Sequence, residues 1–250
     1  MRLSIPVLVG VALVAFGCDD KPQKNPFDPP PKETKEPPPI TEVPKPKGPP
    51  ELAIDDMGPK VGFTRILLDK PEGKSKLEKE LQDNKAAYDG KEATLSIVRK
   101  AKMSWVVTMV QELADIGATK ILIKTDTREE YPKELPFTPQ RSVPEAAPCS
   151  VVGMVLDDRG TAIWKLSGGT ASKRAKGFAG PDLTMTGETI ERYAKACKQS
   201  SIFFVSAADG IEWGLAYDLA ASTQKLEGKP LTSIVLLTET PTAGRPVKLQ

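Results

Sequence analysis

At 250 residues the chain has room for one large domain or two small ones behind a leader, and its 35 basic residues against 33 acidic ones leave no field of the strength that nucleic-acid binding needs. It contains no histidine, which removes the side chain best suited to acid–base catalysis near neutral pH and to transition-metal ligation. Chemistry built on carboxylates or a Ser–Lys pair stays open.

Residues 1–18 read as an export signal. Arg2 gives a positive start, Ile5 to Phe16 an apolar run, and Ala15 and Gly17 small residues ahead of Cys18. The run is shorter than the roughly 20 residues a membrane span needs. It resembles a bacterial lipoprotein signal, which implies acylation at Cys18 and a membrane contact through that lipid; secretory cleavage at the same bond is the alternative. Each acyl methylene buried in the bilayer adds about 0.8 kcal/mol, so several chains make a stable anchor. Residues 19–50 carry half of the 24 prolines, and six acids balance six lysines with almost no large apolar residue between them. Such a stretch is a semi-rigid spacer, at about 3.1 Å per residue able to reach roughly 100 Å.

From residue 51 the lettering becomes globular. In residues 51–130, "ELAID" and "VGFTRILL" flank a turn at "MGPK". Ser75 and Glu78 form a capping box for a helix that stops at Gly90. "ATLSIV" is a third strand, and Val106, Met109, Val110 and Leu113 make a helical stripe broken by Gly117 before the strand "KILIK". Residues 131–148 read as a linker. In residues 149–240, "SVVGMVL" and "TAIWKL" form a hairpin around "DDRG", and Ile190, Tyr193, Ala194 and Cys197 share one helical stripe. "SIFFVSA" follows as a strand. Asp209 and Glu212 then read as a capping box for a helix whose face is Trp213, Ala216, Tyr217, Ala220 and Thr223. Gly228 and Pro230 end it, "SIVLL" is the last strand, and 241–250 are a tail.

The two segments run through one order, ββαβαβ. "TKILIKTDT" at 119–127 is nearly repeated as "TSIVLLTET" at 232–240, and each is preceded by a helix with an early tryptophan, Trp105 or Trp213. The expected class is α+β: two tandem ββαβαβ domains, each a small sheet with two helices on one face. The tryptophans lie 108 positions apart (213 − 105) and the last strands 113 (232 − 119), which places five extra residues in the final loop. Both copies should then share one strand order, with Trp105 equivalent to Trp213. A monomer in which they pack as an internal pseudo-dimer is the expected assembly.

The stretch "FFVSAADGIEWGLAYDLAASTQKLEGKPLTSIVLLTE" resembles the end of the periplasmic domain of ExbD/TolR-type biopolymer-transport proteins. The matching positions are Asp209, Trp213 and Gly214, with the strand that ends in Leu236, Leu237 and Thr238. The first copy matches through Trp105, "ADIGATKILIKT" and element order. The resemblance implies a periplasmic module that contacts peptidoglycan, itself and envelope partners. Members couple to protons through an acidic residue in a membrane helix; the apolar leader here holds no acid, so coupling is not implied.

No residue stands out as catalytic, and no cofactor or metal is expected. "GGTASKRAKGFAG" at 168–180 lacks phosphate-loop spacing in any register, and Ser172 beside Lys173 is not a dyad by adjacency alone. The stretch reads as a mobile basic loop whose Lys173, Arg174 and Lys176 can meet an anionic surface such as peptidoglycan. Cys149 and Cys197 cannot make a four-ligand zinc site without histidine. In an exported protein they are expected as a disulfide, with two buried thiols the alternative. The function expected from all this is a lipid-anchored, non-enzymatic binding or scaffolding protein on the periplasmic side of a membrane, accessory to a transport motor. A peptidoglycan-binding lipoprotein without a motor partner is the second reading, and a carboxylate-based hydrolase the third.

Overall fold

Alternating apolar residues and short helical stripes fold each copy into a sheet with two helices against one face. The computed structural model describes residues 48–178, 180–228 and 230–249; Cys18 and most of the spacer lie outside these. The first copy forms β1 (Leu52–Asp55), β2 (Gly58–Val61), β3 (Thr64–Arg65), α1 (Gly73–Asp83), β4 (Glu92–Ile97), α2 (Met103–Asp115) and β5 (Lys120–Thr125). Within the stretch read as a linker lies one more strand, β6 (Glu134–Phe137). The second copy forms β7 (Val151–Val155), β8 (Thr161–Lys165) and β9 (Ser172–Arg174), then a ribbon of β10 (Lys176–Gly177) and β11 (Gly180–Pro181). It ends with α3 (Leu183–Ala196), β12 (Ser201–Ala207), α4 (Trp213–Ser222) and β13 (Leu231–Leu236).

The strand orders are β3-β2-β1-β4-β5-β6 and β9-β8-β7-β12-β13. β1 pairs antiparallel with β2 and parallel with β4, as β7 does with β8 and β12. The register fixes the correspondence residue by residue. β4 ends at Ile97 and β12 at Ala207, and α2 and α4 begin at Met103 and Trp213, so both landmarks are 110 positions apart. Leu95 pairs with Ile123 and Val205 with Leu236, which carries the 113-residue spacing into the last strands. Trp213 is therefore equivalent to Met103, not to Trp105, and the final loop gains three residues (113 − 110) rather than five. Trp105 sits in α2's first turn, where its indole donates to Asp69 at 3.2 Å.

Neither expected capping box forms. α1 starts at Gly73 after Glu72, so Ser75 and Glu78 lie inside the helix. α4 follows Glu212 with no side-chain cap; its first amides, of Trp213 and Gly214, donate instead to the carbonyls of Ala101 (2.9 Å) and Arg99 (2.8 Å) in the first copy. Orphan helix donors need an acceptor from somewhere, and here tertiary contact supplies it. Asp209 is exposed and accepts from the Thr240 hydroxyl at 3.3 Å.

The two sheets meet edge to edge. β6 lies antiparallel to β5, and the next residue, Thr138, bridges to Val235 of β13, its amide donating to the Ile234 carbonyl at 2.8 Å. A second junction is an antiparallel bridge between Lys102 and Glu212, the residues just ahead of α2 and α4. Equivalent positions thus face each other, as they would about a two-fold axis. Residues Lys45–Gln250 form one compact unit with a single contiguous apolar core.

Candidate functional site

The two sheets differ on the face away from their helices. Side chains alternate along a strand, and a 2.7 Å hydroxyl contact between Thr161 and Thr186 turns Thr161 and Ile163 toward α3. Ala162 and Trp164 therefore face the other way, with Met154, Val152 and Phe204 beside them by register. All are buried, because the C-terminal residues cross this face. The Val247 amide donates to the Leu166 carbonyl at 3.0 Å, the Gly169 amide to the Gly244 carbonyl at 2.9 Å, and the Trp164 indole to the Arg245 carbonyl at 3.0 Å. The tail is a packed strap.

On the first sheet the register-equivalent positions carry small or polar residues: Ala53 for Met154, Lys60 for Ala162, Thr94 for Phe204, Ser96 for Ser206. This face is open, and around Ala53, Ser96, Val98, Arg99, Lys124 and Glu134 it encloses a concavity of about 900 Å³. Three of its lysines are paired in place: Lys60 with Asp55 (2.9 Å), Lys124 with Glu134 (2.9 Å) and Lys133 with Asp126 (3.4 Å). The Arg65 guanidinium, with Lys60, holds the Asp55 carboxyl well below the usual carboxylate range.

At one end of this concavity the copies are clamped together. Arg99, in the β4–α2 loop, gives two parallel hydrogen bonds of 2.8 Å to the Asp218 carboxylate on α4. The Thr127 hydroxyl also donates to Asp218, and Arg128 stands 3.7 Å away. The Asp218 side chain is 1% exposed and that of Arg99 33% exposed. Asp218 holds the arginine's pKa above its already high ordinary value. Gly214 leaves the passage for it: a Cβ there would stand 2.9 Å from the Arg99 Cβ. Also from α4, the Trp213 indole donates to Thr125 Oγ1 at 2.8 Å, and the Tyr217 hydroxyl to the Pro132 carbonyl at 2.9 Å. The Trp213 ring lies 5.8 Å from both Phe137 and Tyr217. Burial pushes the Tyr217 phenol well above its ordinary range.

The residues singled out in sequence fall elsewhere. Cys149 and Cys197 are joined as a disulfide with Cα atoms 5.4 Å apart, linking the approach to β7 with the C-cap of α3. Lys173 and Arg174 lie on the edge strand β9 and Lys176 on β10. That segment forms an edge strand and a ribbon where a mobile basic loop is expected. Both lysines are exposed, whereas Arg174 is half-buried and its Nε has no partner. The clamp was missed because its members are 119 positions apart and no short pattern joins them. One sign was present: an acid at position 218 inside the apolar helix "WGLAYDLAAS".

No family model matches the chain, and no curated protein or solved structure matches it to a significant degree.

Proposed function

We propose that the chain is an exported, lipid-anchored binding and scaffolding protein of the cell envelope, accessory to an ExbD/TolR-type transport motor and without proton coupling of its own. The observation that carries this reading is the contrast between the two back faces. One is apolar and sealed by the chain's own strap; the other is concave and open among the described residues, its lining mostly apolar with charged side chains around it. An opening of about 900 Å³ with a floor of small and apolar residues and a charged rim suits a contact with an extended segment of a partner. The Cys149–Cys197 disulfide supports an oxidising compartment, and the repeated strand order supports the family resemblance.

A photo-crosslinking residue at Thr94, on the open face, tests the assignment in whole cells, with Ala162, on the sealed face, as control. Adducts to an envelope motor protein from position 94 alone are expected. No adduct from position 94, together with pelleting of the purified protein on peptidoglycan, assigns the chain instead to wall binding, a reading that the exposed Lys173 and Lys176 favour. Mass analysis of the mature N-terminus tests the anchor separately. A processed wild-type chain that begins at Cys18 and carries no acyl mass refutes it.

A further inference from the structure

The β10–β11 ribbon carries a side chain that its fold does not require. Lys176 pairs with Pro181 and Gly177 with Gly180, so the chain reverses directly after Gly177. Tight hairpin turns favour Gly, Asn and Asp, yet Phe178 stands at this tip and is fully exposed. The base of the ribbon is fixed. Gly180 and Pro181 are buried, and a Cβ at Gly180 would lie 3.6 Å from Leu215 of α4. The phenylalanine is thus held away from the body on a seated arm.

Its surroundings are basic. Lys176 is on the same ribbon and Lys173 on the adjoining edge strand; both are exposed, and neither has an acidic partner among the described residues. Arg174 and Arg159 flank them, the turn bearing Arg159 lying against the Arg174 carbonyl at Gly160. That turn also carries Asp157 and Asp158, of which Asp158 is directed to the Gly160 amide at 2.8 Å. Among the described residues the other fully exposed phenylalanine, Phe63, has a different setting, since its basic neighbours Lys60 and Arg65 are both bound to Asp55.

We infer that the β10–β11 ribbon is a membrane-contact arm, with Phe178 entering the lipid interface and Lys173 and Lys176 meeting anionic headgroups. An aromatic tip with basic shoulders matches the bilayer boundary, where an apolar ring gains by leaving water and cations gain from the surface potential. Peptidoglycan offers the lysines an anionic surface but gives the ring no hydrocarbon. The arm acts independently of the lipid at Cys18, though an anchor on the same bilayer raises its local concentration.

Residues 45–250, the compact unit, lack the lipidated cysteine and serve for the test. Trp105, Trp164 and Trp213 are only 7%, 0% and 0% exposed and shielded from quencher, so the emission that a Phe178→Trp variant adds to that of the parent reports from the tip. Its emission should shift to the blue and be quenched by brominated lipid in vesicles containing phosphatidylglycerol, but not in pure phosphatidylcholine. Phe178→Ser, a change at a solvent-facing site that cannot disturb the core, should weaken partitioning by roughly ten- to hundredfold. Lys173→Ser and Lys176→Ser should weaken it roughly fivefold each, with the effect fading in high salt. Emission from the Phe178→Trp variant that stays unquenched, or partitioning indifferent to Phe178→Ser, overturns the inference. So does binding to peptidoglycan that depends on the lysines and ignores position 178, which would make the ribbon a wall contact.

Discussion

Replacing Asp218 with leucine should separate the two copies energetically while keeping the number and branching of side-chain heavy atoms. The carboxylate accepts two bonds of 2.8 Å from Arg99 and one from Thr127, at a site where its side chain is 1% exposed. Removing one partner of a buried pair costs about 3–5 kcal/mol, because the other charge is left unpaired. Here the arginine is 33% exposed and can turn part of its guanidinium to water, which lowers the expectation to about 2–3 kcal/mol. For a unit of this size that lowers Tm by roughly 4–12 °C. Arg99→Met in the same chain should recover most of the loss, since an apolar pair can replace a buried ion pair at little net cost. Equilibrium unfolding in urea, followed in parallel by far-UV circular dichroism and tryptophan fluorescence, gives the full double-mutant cycle. A single-mutant loss under about 0.5 kcal/mol, or a double mutant no more stable than Asp218→Leu, would refute the clamp as a joint.

Reduction of the Cys149–Cys197 disulfide, or Cys197→Ser, opens a loop of 48 residues and should lower stability by about 4 kcal/mol on chain-entropy grounds; two freely alkylated cysteines in unreduced, folded protein would contradict the pairing. Glu112, buried on α2 and close to Glu78, has its pKa raised chiefly by desolvation. The folded state binds that proton more tightly than the unfolded chain, so the group's favourable contribution is complete below the unfolded value of about 4.3 and is lost as pH rises through the folded one. Glu112→Gln should therefore stabilise the protein at pH 7.5 and lose that advantage near pH 4; equal gains at both pH values would show that charge is not the cause.

Much of the architecture was legible because it is written locally. The apolar runs at 93–97, 121–123, 151–155 and 203–207 are strands, the stripe at Val106, Met109, Val110 and Leu113 is a buried helix face, and the repeated last strand keeps its spacing in the pairing register. What failed was lettering that tertiary contacts overrule. Asp209 and Glu212 spell a capping box, but the amides they would cap are satisfied by Ala101 and Arg99. The paired tryptophans looked like landmarks, yet one plugs the junction and the other binds Asp69 two positions further along its helix. Strand β6 was hidden because "ELPF" has a proline and only two inward positions, Leu135 and Phe137. The strap was hidden for another reason: nothing in "PTAGRPVKLQ" announces that an apolar sheet face waits for it.

The Lys102–Glu212 bridge bears on how such a chain can come to exist. In an assembly of two identical subunits, the residue nearest a two-fold axis meets its own twin, so a lysine there would oppose a lysine and a glutamate a glutamate. Joining both halves in one polypeptide lifts that restriction: position 102 holds a lysine and its counterpart 212 a glutamate. Each half has become the complement of the other instead of its image. Two copies of either half alone would set like charges against each other at that position, which the joined chain avoids.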